Sequence, residues 1–259
     1  KLATTNTGVT VAGSISSQGY CSDVDNNTKI GTGALSQNLS GACNVAIGVG
    51  ASFKGISSFD TVAIGASALY HNWGGTGITS GQTAVGACAL LNNTSGCLNT
   101  AAGYIAMCDN TTGALNAAFG AYALWKNTTG GWNTALGATA MYSNVDGHQN
   151  TGVGYLSLYG SITGDDNTAV GFIAGGAGSN ASCNTAVGTC VLYDNTSGCC
   201  NAVLGTYAMI GNTTGYRNVA IGQSAGSKMP SGFGPIDSTA ATNSIFIGAD
   251  TCSSDGADN

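Results

Sequence analysis

Two histidines, His71 and His148, and twelve acidic residues, all of them aspartate, are the side chains able to carry proton chemistry near neutral pH in this 259-residue chain. Their spacing assembles no acid–base pair. Asp165 and Asp166 are adjacent turn acids, whereas glycoside hydrolysis needs two carboxylates held across a cleft. Asp109, Asp146 and Asp194 fall near turns and offer weak calcium ligands at most, without the spacing of an EF-hand loop. The run Gly171-Phe172-Ile173-Ala174-Gly175-Gly176 is small enough to approach a phosphate. No lysine follows it at Walker spacing and no helical pattern supports it. The ten cysteines form no paired Cys-x-x-Cys knuckles. These residues predict no enzyme, no metal and no cofactor.

Composition narrows the partners. Six lysines and arginines stand against the twelve acids, for a net charge of -6. Nothing supplies the clustered cations that a nucleic-acid backbone requires. Charged residues are only 7% and hydrophobic residues 43%. No apolar run approaches the roughly 20 residues of a spanning helix, so no membrane insertion is expected. No basic leader followed by an apolar stretch marks a signal peptide. The cysteine usage points to some disulfides and an extracellular or virion setting, with buried free thiols as the alternative.

The elements that must position any site come from a repeat. Asn99-Thr100-Ala101-Ala102-Gly103 is followed by Tyr104-Ile105-Ala106-Met107 and by Asn110-Thr111-Thr112-Gly113, and the pattern restarts at Asn116. Its marker glycine recurs at Gly31, Gly48, Gly65, Gly86, Gly103, Gly120, Gly137, Gly154, Gly171, Gly188, Gly205, Gly222 and Gly248. Ten of these twelve spacings are 17; the others, 21 and 26, reflect insertions at 73–80 and 229–241. A fixed short period is the signature of a solenoid. The chain divides into a lead-in (1–26), the repeat (27–228), and a segment with the long insertion, the last atypical copy and the tail (229–259).

Seventeen residues are too few for a helix pair. Each copy holds two short runs, such as Thr134-Ala135-Leu136 and Thr139-Ala140-Met141, each closed by a turn signal such as Asn127-Thr128-Thr129-Gly130. The expected fold is all-β: a parallel β-roll with two strands and two turns per coil. Coils stacked at about 4.8 Å make a rod of roughly 60 Å.

Stacking places equivalent residues in columns. The alanine column through Ala46, Ala101 and Ala135 lets backbones approach closely. The next column, through Ile47, Phe119, Leu136 and Val170, is expected to fill the interior. A second apolar column runs through Leu69, Met107, Leu124 and Met141. The asparagine column, from Asn44 and Asn99 to Asn218, reads as a side-chain ladder or a turn cap. A threonine column is assigned Thr61, Thr83, Thr100, Thr134, Thr151, Thr168 and Thr185. Sequons such as Asn110, Asn127, Asn195 and Asn212 are explained by the turn. Cys183 and Cys200 share a column in neighbouring coils, within reach of a disulfide.

Phe53, Tyr70, Trp125, Tyr142, Tyr159 and Tyr193 lie five residues beyond their marker glycines. Facing outward, this aromatic column would stack on sugars or a host surface; facing another chain, it would pack an oligomer. Exposed aromatics and insertions on a rigid scaffold are typical binding equipment. The surface-binding candidates are therefore His71, Trp73, Trp132 and Phe233. The breaks in the repeat, at 73–80, after Gly171 and at 229–241, are where recognition is expected.

The copies Asn44-Val45-Ala46-Ile47-Gly48 and Asn218-Val219-Ala220-Ile221-Gly222 resemble the head repeats of trimeric autotransporter adhesins. That resemblance implies a left-handed parallel β-roll, a homotrimer, and binding to host surfaces. The added Asn-Thr-Thr-Gly turn resembles repeats in the tail fibres of marine bacteriophages. The end, Asn243-Ser244-Ile245-Phe246-Ile247-Gly248, resembles what precedes the self-cleaving chaperone of such fibres. The expectation is a structural fibre protein of a virion tail that attaches to a host cell. Its partners would be itself, other fibre or tail proteins, and a host glycan or protein receptor. A bacterial extracellular adhesin or filament protein is the alternative, and an ice-binding solenoid a more remote one.

Overall fold

The computed structural model describes residues 26–72, 79–176, 180–227 and 241–251. Thirteen three-residue strands form one parallel sheet, from β1 (Thr28–Ile30) and β2 (Val45–Ile47) to β14 (Val219–Ile221) and β15 (Ile245–Ile247). Each strand pairs with its equivalent one repeat away, as in Thr151↔Thr168 and Val153↔Val170 between β10 (Thr151–Val153) and β11 (Thr168–Val170). The insertions leave the register intact: Val62 pairs with Thr83, and Val219 with Ile245. A second, two-stranded sheet joins β3 (Ser58–Phe59) to β5 (Thr79–Ser80), the last residues of the first insertion. The molecule is thus a parallel β-solenoid of 17-residue coils.

Most coils contain one strand, not the two expected. The Thr134-Ala135-Leu136 run is β9, but Thr139 and Met141 have φ of 54° and 52° and belong to a turn. Each left-handed residue costs roughly 1–2 kcal/mol. Stacking offsets this, because the N–H groups so aimed reach neighbouring coils: Thr139 donates to Ala121 O at 2.9 Å and Met141 to Ser157 O at 2.8 Å. A buried N–H without such a partner would cost about 1–3 kcal/mol.

The interior reverses one expectation. Ala46, Ala63, Ala84, Ala101, Ala118, Ala135 and Ala169 point inward and are fully buried. The bulky column beside them points out: Phe119 is 42% exposed, Leu136 49% and Leu204 50%. Strand side chains alternate between faces, so only one column can enter. Across the coil the alanines meet a second alanine column (Ala68, Ala89, Ala106, Ala123, Ala140) and the Leu/Met column. Those fill most of the narrow lumen, so the inward strand position is alanine in most coils, with Val203 and, in the last coil, Phe246 as the larger exceptions. Gly152 shows the limit: a Cβ there would lie 2.9 Å from Met141 Cγ. The Leu/Met column is the one that is buried, through Leu69, Leu90, Met107, Leu124, Met141, Leu192 and Met209.

The rest of the lumen is polar. The asparagine column is both ladder and cap. Asn133 Oδ1 accepts the Asn150 N–H at 2.9 Å, and its Nδ2 donates to Gly147 O at 2.7 Å. Thr61 belongs to this column, not to the threonine column; its hydroxyl donates to Asn44 Oδ1 at 2.6 Å. A second asparagine ladder runs through the turn positions, where Asn110 Nδ2 donates to Asn93 Oδ1 and Asn127 Nδ2 to Asn110 Oδ1, each at 2.7 Å. It breaks at Ser161, and the buried Asn144 Oδ1 and Ser161 Oγ have no hydrogen-bond partner. The sequon asparagines Asn110, Asn127, Asn195 and Asn212 are all buried in this second ladder.

Candidate functional site

Among the described residues the interior is closed by alanine, leucine, methionine and asparagine, and the chemistry on offer lies in the surface columns. Three of these carry chemistry: the outer face of the sheet, the aromatic column, and the corner just before each ladder asparagine.

The sheet's outer face carries threonine beside aliphatic residues. Ile30, Val85, Phe119, Leu136, Val170, Leu204, Ile221 and Ile247 are each exposed, and strand pairing puts them in one continuous row. The parallel row holds Thr83, Thr100, Thr134, Thr151, Thr168 and Thr185, broken by Ala117, and becomes aliphatic toward its ends at Val45 and Val62 and at Ala202, Val219 and Ile245.

The aromatic column faces outward and stacks along the axis. Phe53 and Tyr70 lie parallel, with centroids 5.1 Å apart at 4°. Trp125 meets Tyr142 edge-on at 4.8 Å, and Tyr142 stacks on Tyr159 at 5.1 Å. Lys126 Nζ sits 5.8 Å from the Trp125 ring and 5.4 Å from that of Tyr142, a cation–π clamp on this stretch. Leu91, Cys108 and Ile210 occupy the column elsewhere. Gly176 interrupts it between Tyr159 and Tyr193. Sequence reasoning missed a second aromatic set beside it. Tyr155 stacks on Phe172 at 5.7 Å, and Tyr122 bridges Tyr104 (5.5 Å) and Trp125 (5.9 Å). These rings occupy columns of mixed composition, so no periodic signal marked them.

Tyr155 and the Tyr142–Tyr159–Tyr193 wall bound an open groove of about 630 Å³, also lined by Leu156 and Ile173. Gly160 and Gly176 open it. A Cβ at Gly176 would lie 2.8 Å from Tyr193 Cδ2, so the glycine lets that ring lean inward as an end wall.

The single candidates divide. His71 is half-buried, edge-on to the Tyr70 ring at 4.8 Å. Burial and then the Lys54 ammonium hold its pKa below the ordinary histidine value. Trp132 is 60% exposed and lies tilted over His148 at 6.1 Å. Asp165 Oδ1 accepts the His148 backbone N–H at 2.7 Å and lies 3.8 Å from its Nδ1. This brings together three residues that the sequence presented separately. Trp73 and Phe233 lie outside the described residues. Among the described residues no cluster of His, Cys, Asp or Glu could hold a metal ion, and no helix is long and apolar enough to cross a membrane.

All eight described cysteines are free thiols, so the Cys183–Cys200 bond is not formed in this structure. The two thiols are nevertheless within hydrogen-bonding reach. Partial desolvation, the Cys200 thiol and the Asp166 carboxylate all raise the Cys183 pKa. Cys108 is buried, and that burial, with Asp109 and Cys88, pushes its pKa up to about 12, which leaves it inert as a nucleophile. Incubating the reduced chain in a glutathione redox buffer is expected to join Cys183 to Cys200 within one chain, read by peptide mapping. Closing a loop of this size contributes about 3 kcal/mol in the chain-entropy account, so the melting temperature should rise and Cys200→Ser should abolish the rise. A crosslink only between chains, or none, would refute the intrachain pairing.

No known family's model matches the sequence, and no curated protein or solved structure matches it significantly.

Proposed function

We infer that this chain is a structural segment of a virion tail fibre, assembled as a homotrimer of left-handed rolls, that attaches the particle to a host cell surface. One observation carries the assembly: a rod barely one side chain thick displays a continuous row of aliphatic and aromatic residues on the outer face of its 13-stranded sheet. Contiguous apolar surface of this extent marks an interaction site. Burying the exposed half of each side chain stabilises by on the order of 1 kcal/mol. Summed over the row in each chain, this matches or exceeds the roughly 4–15 kcal/mol that association costs. Closed rotational symmetry is the usual way to satisfy such a face. Low charge and a ladder-rich lumen suit a stiff shaft. The resemblance of the Asn-Val-Ala-Ile-Gly copies to adhesin heads, and of the Asn-Thr-Thr-Gly turn to phage fibres, supports attachment as the task. Ala117 within the threonine row, and the aliphatic residues Val45, Val62, Val219 and Ile245 toward its ends, favour self-association over an ice-binding face.

Sedimentation equilibrium tests the assembly. The wild-type chain is expected at three times its 25.4 kDa mass, and the double variant Phe119→Asp, Leu136→Asp should shift toward monomer while keeping its far-ultraviolet spectrum. A monomeric wild type would overturn the trimer. Antibody labelling of particles in electron micrographs tests the virion assignment; label on cell envelopes instead would favour the bacterial adhesin.

A further inference from the structure

We propose that the groove between Tyr155 and the Tyr142–Tyr159–Tyr193 wall binds an uncharged oligosaccharide. The inference rests on the attachment reading and adds its site and ligand class. At about 630 Å³ the groove falls in the range of small-ligand sites. Its character is amphipathic. The tyrosine rings offer apolar faces, and each ends in a hydroxyl able to donate and accept. Leu156 and Ile173 add aliphatic lining. A sugar ring has the complementary construction, with an apolar C–H face and a rim of hydroxyls. An aliphatic peptide side chain would cover the phenols without pairing them, which carries a desolvation cost.

Charge narrows the class further. Among the described residues no charged side chain lines the groove. The Lys126 ammonium lies over the Trp125 and Tyr142 rings. A sulfated, phosphorylated or sialylated chain would thus bring its charge against a chain of net charge -6 with no cation in the groove to receive it. The site is built, not incidental to the repeat. The aromatic column is stacked up to Tyr159, skips one coil at Gly176, and resumes at Tyr193, whose ring leans over the glycine. The gap leaves Tyr159 and Tyr193 two coils apart, about 10 Å at the strand spacing. A sugar seated there meets a ring at each end.

The test is calorimetric titration of the full chain with cellohexaose, mannohexaose and chitohexaose, with sialylated and sulfated oligosaccharides as charged probes. At least one neutral probe is expected to bind, and Tyr159→Ala and Tyr193→Ala should each weaken it about tenfold. Both rings are about two-fifths exposed, and Tyr159 also stacks on Tyr142, so the variants should keep the far-ultraviolet spectrum of the rod with only a modest fall in melting temperature. Gly176→Val, which pushes the Tyr193 ring outward, should weaken the same probe without removing an aromatic group. Binding of no neutral probe, preference for the charged probes, or indifference to all three substitutions would overturn the proposal. Fluorescent rods applied to cells separate the two readings. Rods that adhere equally well with and without the tyrosines overturn the groove and leave attachment standing. Rods that bind a neutral glycan but adhere to no cell overturn attachment and leave the groove.

Discussion

Gly120→Ala is expected to cost roughly 3–5 kcal/mol of unfolding free energy, at the extreme of what single substitutions do. Gly120 has φ of 134°, where an L side chain is strained by about 1–3 kcal/mol. Its Cβ would also lie 2.5 Å from Gly137 O and 2.6 Å from Gly137 C. The obstructing atoms are backbone, so no rotamer relieves the clash. Gly137 cannot retreat either, because it stands in the same relation to Gly154, whose carbonyl oxygen would be 2.4 Å from a Cβ at 137. The column is a chain of close approaches running the length of the rod. Since each coil contacts only its neighbours, the damage should be local and divide the solenoid into two weaker segments. Urea titration followed by circular dichroism checks this: a lower midpoint or a second transition is expected. Thr129→Ala, at an exposed position in the turn that follows, should stay within about 0.5 kcal/mol. A Gly120→Ala variant as stable as Thr129→Ala would refute the close-approach account.

Asn133→Ala is expected to cost about 2–5 kcal/mol although it removes no apolar contact. The side chain is fully buried; it accepts from the Asn150 N–H and donates to Gly147 O. Alanine orphans one buried donor and one buried acceptor, each worth about 1–3 kcal/mol. Asn133→Asp separates the two halves of the role. An ionised carboxylate keeps the acceptor and loses the donor, and burial disfavours its charge. Its folded-state pKa should therefore lie above the ordinary value of about 3.9. A raised folded pKa means that the native state binds the extra proton, so the variant's stability should rise as pH falls from neutrality and decline as pH rises through the raised value. Chemical denaturation at several pH values measures this. A flat profile, or an alanine variant as stable as wild type, would show that the ladder contributes little.

Much of this architecture was legible in the residues. The 17-residue return of Asn-x-Ala-x-Gly gave the solenoid and a strand register that continues across both insertions, because stacked coils force equivalent residues over one another. The capping role of Asn99 and its equivalents followed from the same columns. The second ladder through Asn93, Asn110 and Asn127 was disguised, since Asn-Thr-Thr-Gly is also an ordinary turn and local turn chemistry explains it without any burial. The Tyr142–Tyr193 groove was half visible: the aromatic column recurs along the chain, whereas Tyr155 and Phe172 share a column filled mostly by small residues, and only folding sets that column beside the first.

What the tertiary structure alone decided is which apolar column faces inward. Ala135 and Leu136 are neighbours on one strand, and alternation permits either to enter the core. Hydrophobicity favours leucine, and the isolated strand has no reason to choose otherwise. The decision belongs to the lumen of a coil whose repeated left-handed turns wind it tightly. There Ala140 and Met141 already occupy the opposite side, so the inward position takes a small residue, alanine in most coils and valine at Val203. Leucine is left on the surface, and with it the apolar row through which the proposed assembly forms.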